Sequence, residues 1–297
     1  MGCGWHYCGA ALATVLSQLL SGGACLAYAL YRYPVLHPVR SDFGWDTRLA
    51  MGHFAVGLPM ALQFSITAIG CIVQQTALNG LDASYPGAVT AYTAASKIDN
   101  IANQAFAALG TAFATYAAQN YGAGEYGRIR RGVFVGMVYV LASAAIGFAF
   151  AVGLCEPLMK LFLNTDLSAD VADNYDAIIG YGRQYLLWQC AFYPFLGAIF
   201  VFRNTLQGIG KSAVTTFAGV TELAGRILAS LVFVRIWGFA GICSSNPVAW
   251  VAAVMFLVTT YIVVMRRQKK GEIPDGRTRS HRRRLRRSCR IAVRKAS

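Results

Sequence analysis

Seven stretches of this chain are each long and apolar enough to cross a lipid bilayer, a task that takes about 20 apolar residues in a helix. Their approximate ends are Cys8–Tyr33, Leu49–Leu78, Val89–Gln119, Gly132–Cys155, Ala177–Val201, Ala213–Ile236 and Phe239–Met265. The separators are polar or helix-breaking: the Arg32–Arg48 segment with two prolines, Asn79–Gly87, Asn120–Gly124, Pro157–Asp176, Arg203–Lys211 and a short Trp237–Gly238 turn. Runs of this length exceed the strands of a soluble sheet. They also lack the alternation of a membrane barrel. The expected fold is all-α, a polytopic membrane helix bundle of about seven transmembrane helices. Gly and Ala recur inside the runs, as in Ala105–Ala118, and small residues let helix backbones approach closely in lipid.

Charge sharpens the picture. The 297 residues carry a formal net charge of +14 although only 13% are charged. Residues 1–265 hold 13 Lys/Arg against 11 Asp/Glu, whereas residues 266–297 hold 14 against 2. The body is thus nearly neutral and the excess is a basic tail, expected to be disordered. A nucleic-acid binder would carry its basic residues on a folded face, so no specific nucleic-acid partner is expected. In the short loops, Arg32, Arg40, Arg48, Arg128, Arg130, Arg131, Arg203 and Lys211 fall on one side, and only Lys160 and Arg235 on the other. By the positive-inside rule the N-terminus faces outward and the C-terminus the cytoplasm, in a cell membrane. An outward N-terminus at the edge of a span suits a chain whose preceding spans lie on a separate piece.

Ionisable residues inside a span are candidates for function. Glu222 and Arg226 lie four apart in the sixth run, on one helix face, and can pair. Lys97 and Asp99 lie two apart in the third, so they point to different faces; Asn100, Asn103 and Gln104 extend this polar stretch toward a hydrated cavity. Pro59 and Pro194 interrupt the helical ladder of the second and fifth runs. Gln63 and Thr67 follow Pro59 on one face, with Gln74 and Gln75 farther on. Arg183 is placed to snorkel. Cys3, His6 and Cys8 cluster without the spacing of a zinc site. No phosphate-binding loop pattern or other soluble-enzyme signature occurs, and no cofactor is expected.

Several segments together resemble one family. GLPMALQFSITAIG (Gly57–Gly70), AYTAASKIDNIANQAFAALGTAFATYAAQNYGAG (Ala91–Gly124), FRNTLQGIGKS (Phe202–Ser212) and GVTELAGRILAS (Gly219–Ser230), leading to WGFAGI, occur in order. This set is similar to the multidrug and toxic compound extrusion (MATE) family. The resemblance implies a secondary transporter that exports drugs or organic cations by Na⁺ or H⁺ antiport, with membrane lipids and the small molecule as partners. Family members have two six-helix lobes. The resemblance therefore assigns residues 8–48 to the last span of the first lobe and the inter-lobe loop, and 49–265 to the second lobe. A separate N-terminal lobe is then an expected partner. Pathway candidates are Gln63, Thr67, Lys97, Asp99, Asn103, Asn204, Gln207, Glu222 and Arg226. In Na⁺-coupled members of the NorM branch an acidic residue follows the second-lobe proline by two helical turns; here that position is Thr67. The alternatives are a membrane interaction or scaffold fragment without transport, and a lipid-linked saccharide flippase of the same superfamily.

Overall fold

In a computed structural model, each apolar run becomes a helix. Residues 3–33, 37, 44, 46–81, 83–163 and 174–269 are described. The helices are α1 (Cys3–Arg32), α2 (Thr47–Asn79), α3 (Ala88–Gly122), α4 (Tyr126–Phe162), α5 (Tyr175–Ala191), α6 (Tyr193–Gly208), α7 (Ser212–Leu228), α8 (Val234–Trp237) and α9 (Phe239–Lys269), with a π-helical turn, Ala229–Phe233, joining α7 to α8. The described residues contain no strand. The chain divides into two units between Gly52 and His53. In the first unit, α1 exposes its leucines, among them Leu19 and Leu20.

Among the described residues five helices are long and apolar enough to span a bilayer: 11–32 of α1, α2, α4, the continuous Ser212–Trp237 helix, and α9 to Arg267. The bent pair α5 and α6 makes a sixth. The predicted third span is the difference. α3 has 35 residues but falls short of the hydropathy of the others, because Lys97, Asp99 and a series of amides interrupt it. The chain is thus a multi-pass membrane protein of helices, one of which is markedly polar.

In the second unit, α3 packs along α6, α5 and α4, and α9 packs along α7, α6 and α5. The face of α3 that meets its neighbours is built of Ala88, Ala91, Ala94 and Ala95, all buried. Aromatic edges complete these seams: Tyr92 meets Tyr185 with centroids 5.0 Å apart, and Phe106 meets Tyr193 at 5.7 Å. α7 and α9 approach so closely at Gly225 that an added Cβ would sit 2.9 Å from the Ala249 Cα. Small residues set these distances, since lipid provides little hydrophobic drive between helices. The outer face of α4 is apolar and exposed, with Phe134 at 72% and Leu161 at 76%. In a chain of membrane-spanning helices, such a surface suits contact with hydrocarbon.

Prolines act as their chemistry requires. Pro194 lacks an N–H and its ring clashes with the carbonyl four residues earlier. α5 ends at Ala191, α6 begins at Tyr193, and the two bend by 47°. Pro59 and Pro247 lie within continuous helices. The Trp237–Gly238 turn is present, with Gly238 at φ 57° and the Tyr85 hydroxyl filling the space that an added Cβ would need.

The first parts of two separators read as loops are helical. α4 runs through Pro157 to Phe162, and Lys160 there pairs with Glu156 at 2.8 Å. α6 continues to Gly208, so Arg203 and Asn204 belong to a helix and only the last residues to Lys211 form the turn. α9 also takes up the start of the basic cluster, Arg266 to Lys269. The expected disorder of the remaining tail lies outside the described residues, as do Arg40 and the side chains of Cys3 and His6.

Candidate functional site

Helical periodicity brings polar side chains from separate helices into one cavity of the second unit, with a volume of about 480 Å³. On α2, Gln63, Thr67, Cys71 and Gln74 recur every three or four residues and share a face. On α3, Tyr92, Ser96, Asp99 and Asn103 do the same, with Asn100 beside them. α6 contributes Leu196, Ile199, Phe200 and Arg203; α7 contributes Glu222 and Arg226; α5 contributes Tyr185; α9 contributes Asn246 and Trp250. The volume is that of a small-molecule site.

α2 reaches the rest of the unit through polar contacts. The Thr216 hydroxyl donates to the Pro59 carbonyl at 2.9 Å, Gln207 donates to Gln63 Oε1 at 3.2 Å, and Gln74 donates to the Ile242 carbonyl at 3.5 Å. Thr67 donates back to the carbonyl of Gln63 at 3.1 Å, and so occupies the expected acidic position as a neutral hydroxyl.

Two charged clusters face the cavity. Asp99 is buried; its Oδ1 accepts from the Tyr193 hydroxyl at 2.8 Å and its Oδ2 from Asn103 at 3.0 Å. It takes part in none of the ion pairs among the described residues. On the other cluster the predicted Glu222–Arg226 pair forms, at 3.0 Å, and is joined by Arg203, whose Nη2 lies 2.8 Å from Glu222 Oε2. Arg226 also donates to Cys71 Sγ at 2.9 Å, and Gly70 leaves room for its stem against α2. One carboxylate therefore serves two guanidiniums within a largely buried network.

Of the nine predicted residues, Gln63, Thr67, Asp99, Asn103, Glu222 and Arg226 line the cavity together. The other three lie elsewhere. Lys97 sits over the Phe162 ring at 5.8 Å, on the face of α3 away from Asp99. Asn204 donates to the Phe200 carbonyl of its own helix at 2.8 Å, packed against Gly110. Gln207 holds Gln63 and Thr215 instead of lining the space. Arg183 is exposed on α5, and Gln104 is exposed on α3.

Arg203 is the main residue that sequence reading misplaced, as a loop charge. Extending the helical period of Leu196, Ile199 and Phe200 past Val201 would have put it on their face. Asn246 and Trp250, four apart on α9, carry a similar signal. A second groove, of about 390 Å³ between α3 and α4, is apolar and lined by Leu109, Phe113, Val135 and Tyr139 among others. Among the described residues no group of three or more His, Cys, Asp or Glu is placed to hold a metal ion.

Comparison with known proteins places this architecture. The MatE family model matches residues 59–231, more than half of the chain. The Probable multidrug resistance protein YpnP of Bacillus subtilis (strain 168) is 25% identical over 203 residues, 68% of this chain and 42% of that protein. The solved structure of a MOP superfamily transporter from Pyrococcus furiosus Vc1 (DSM3638) superposes with a TM-score of 0.50 at 16% identity, covering 73% of this chain and 44% of that one. The chain thus spans less than half the length of each of these relatives. On the family match and the motifs it carries, this chain belongs to the MatE family.

Proposed function

We propose that the chain is one lobe of a MATE-type secondary transporter: residues 49–265 the second lobe, residues 8–48 the last span of the first lobe with the inter-lobe loop. It exports drugs or organic cations in exchange for Na⁺ or H⁺, in the plasma membrane and together with a separate first lobe. The observation that carries this reading is the polar cavity inside an otherwise apolar bundle. Burying so many amides and charges in a membrane is expensive and is retained at substrate or ion pathways. Of the two carboxylates that line the cavity, Asp99 is in no ion pair among the described residues, so a bound cation or a coupling ion falls to it first. Thr67, being neutral, leaves no acid at the second-lobe proline.

The N-out, C-in orientation rests on fewer loop charges than the sequence count, since Arg203 pairs with Glu222 inside the bundle. Arg128, Arg130 and Arg131, exposed after the α3–α4 turn, still favour it.

The test is co-expression with a first-lobe chain in cells lacking other exporters, with accumulation of a cationic dye as the readout. The pair lowers accumulation, and Asp99→Asn abolishes the effect at unchanged membrane amounts. If every such pairing leaves accumulation unchanged while both chains reach the membrane, the chain is a non-transporting interaction fragment and the proposal is wrong.

A further inference from the structure

Glu222 binds Arg203 and Arg226 at once, so this cluster holds two positive charges for one negative. Both arginines and Glu222 line the cavity, and Cys71 beside Arg226 does too. The Nε atoms of both arginines are buried without a hydrogen-bond partner. Arg203 gives only Nη2 to Glu222, and its side chain is 13% exposed, against 8% for Arg226. The second acid of the cavity does not balance the surplus: Asp99 is held by Tyr193 and Asn103, outside any ion pair among the described residues. A guanidinium kept in a membrane interior without its counter-charge is costly, and its planar fork is shaped for an oxyanion.

We propose that Arg203 and Arg226 form a subsite for an oxyanion group, a carboxylate or phosphate, on the molecule that occupies the cavity. Asp99 then faces a cationic or hydrogen-donating part of the same molecule, and the cavity is polarised instead of being uniformly cation-selective. This deepens the transport reading above and rests on the cavity being the binding site.

The test uses the purified full chain and two dyes that share one fluorophore, tetramethylrhodamine with a free carboxylate and its methyl ester, with binding read by fluorescence anisotropy. The free acid binds about tenfold more tightly, the gain of a charge-assisted hydrogen bond. Arg203→Gln brings the two dyes to similar affinity, the acid losing far more than the ester. An ester that binds as tightly as the acid overturns the oxyanion subsite while leaving the transport reading standing. If neither dye binds, the subsite proposal falls, and the transport reading is decided by the co-expression test.

Repeating the measurement in phosphatidylcholine and phosphatidylglycerol nanodiscs separates two sources of the oxyanion. Loss of the acid preference only in phosphatidylglycerol supports the subsite and assigns its occupant to a lipid headgroup.

Should Arg203→Gln fail to fold, the wild-type protein still answers. Cys71, next to Arg226, reacts with a sulfonated methanethiosulfonate faster, relative to its trimethylammonium analogue, than free mercaptoethanol does. A ratio equal to the free thiol's, read on the Cys71 peptide by mass spectrometry, contradicts the proposal.

Discussion

Glu222→Gln is the most informative single substitution in the bundle. The carboxylate accepts from Arg203 at 2.8 Å and from Arg226 at 3.0 Å, and its side chain is only 6% exposed. Gln preserves shape, but it removes the charge and replaces one accepting oxygen with an amide that must face a guanidinium donor. Two like charges then remain side by side. Breaking a buried ion pair by removing one partner costs about 3–5 kcal/mol, because the other charge is left uncompensated. For a chain of this size each kcal/mol corresponds to about 2–4 °C in the unfolding midpoint, so a fall of roughly 6–20 °C is expected.

Arg203→Leu is the control that leaves the cluster balanced. It removes the surplus cation, keeps the Glu222–Arg226 pair, and costs about 1–3 kcal/mol for one lost charged hydrogen bond. Thermal unfolding in detergent, followed by size-exclusion chromatography, measures both. A Glu222→Gln protein that melts within a degree or two of wild type, or is more stable than Arg203→Leu, would refute the assignment of Glu222 as the shared counter-ion.

Other substitutions probe separate parts of the account. Gly225→Val places new atoms against the backbone at Ala249, where a Cβ alone would lie 2.9 Å from Cα; separating α7 from α9 costs about 1–3 kcal/mol, seen as a lower unfolding midpoint. Gly238→Ala, at φ 57° and facing the Tyr85 hydroxyl, costs about 1–3 kcal/mol from backbone strain alone in the same assay. Tyr193→Phe removes one of the two donors to Asp99 and costs about 1.5–3 kcal/mol, with altered dye binding at the cavity. Lys97→Ala removes only a contact with Phe162, costs about 0.5–1 kcal/mol, and leaves dye binding unchanged.

Much of the fold was legible because bilayer thickness and helix rise dictate run length: all seven runs are helical, although the fourth extends about two turns at each end and the fifth is two helices reaching Gly208. Pro194 and Gly238 were readable for the same local reason: a missing N–H and a positive φ. Local rules failed where a distant residue supplied the compensation. Arg203 looked like a loop charge because an arginine in a membrane needs water or a partner; the partner, Glu222, comes 19 residues later on another helix. The face Gln63, Thr67, Gln74 emerged from periodicity, and Asp99 and Asn103 from a polar stretch inside an apolar run. Their convergence on one cavity did not, since sequence gives the face of a helix but not which faces meet. Asn204 and Gln207 carry amide groups of the right type but turn them to the helix ladder and to Gln63.

The central claim is that the polar cavity, and not the apolar groove between α3 and α4, receives the transported molecule. Photo-crosslinking of the purified chain with an azido derivative of a cationic dye, followed by peptide mapping, tests it most directly. The account predicts adducts on Phe64, Asn103, Phe200 and Trp250, which line the cavity on four helices, and their loss on competition with unmodified dye. Competable adducts confined to Leu109, Phe113, Val135 and Tyr139, the groove residues, would contradict it.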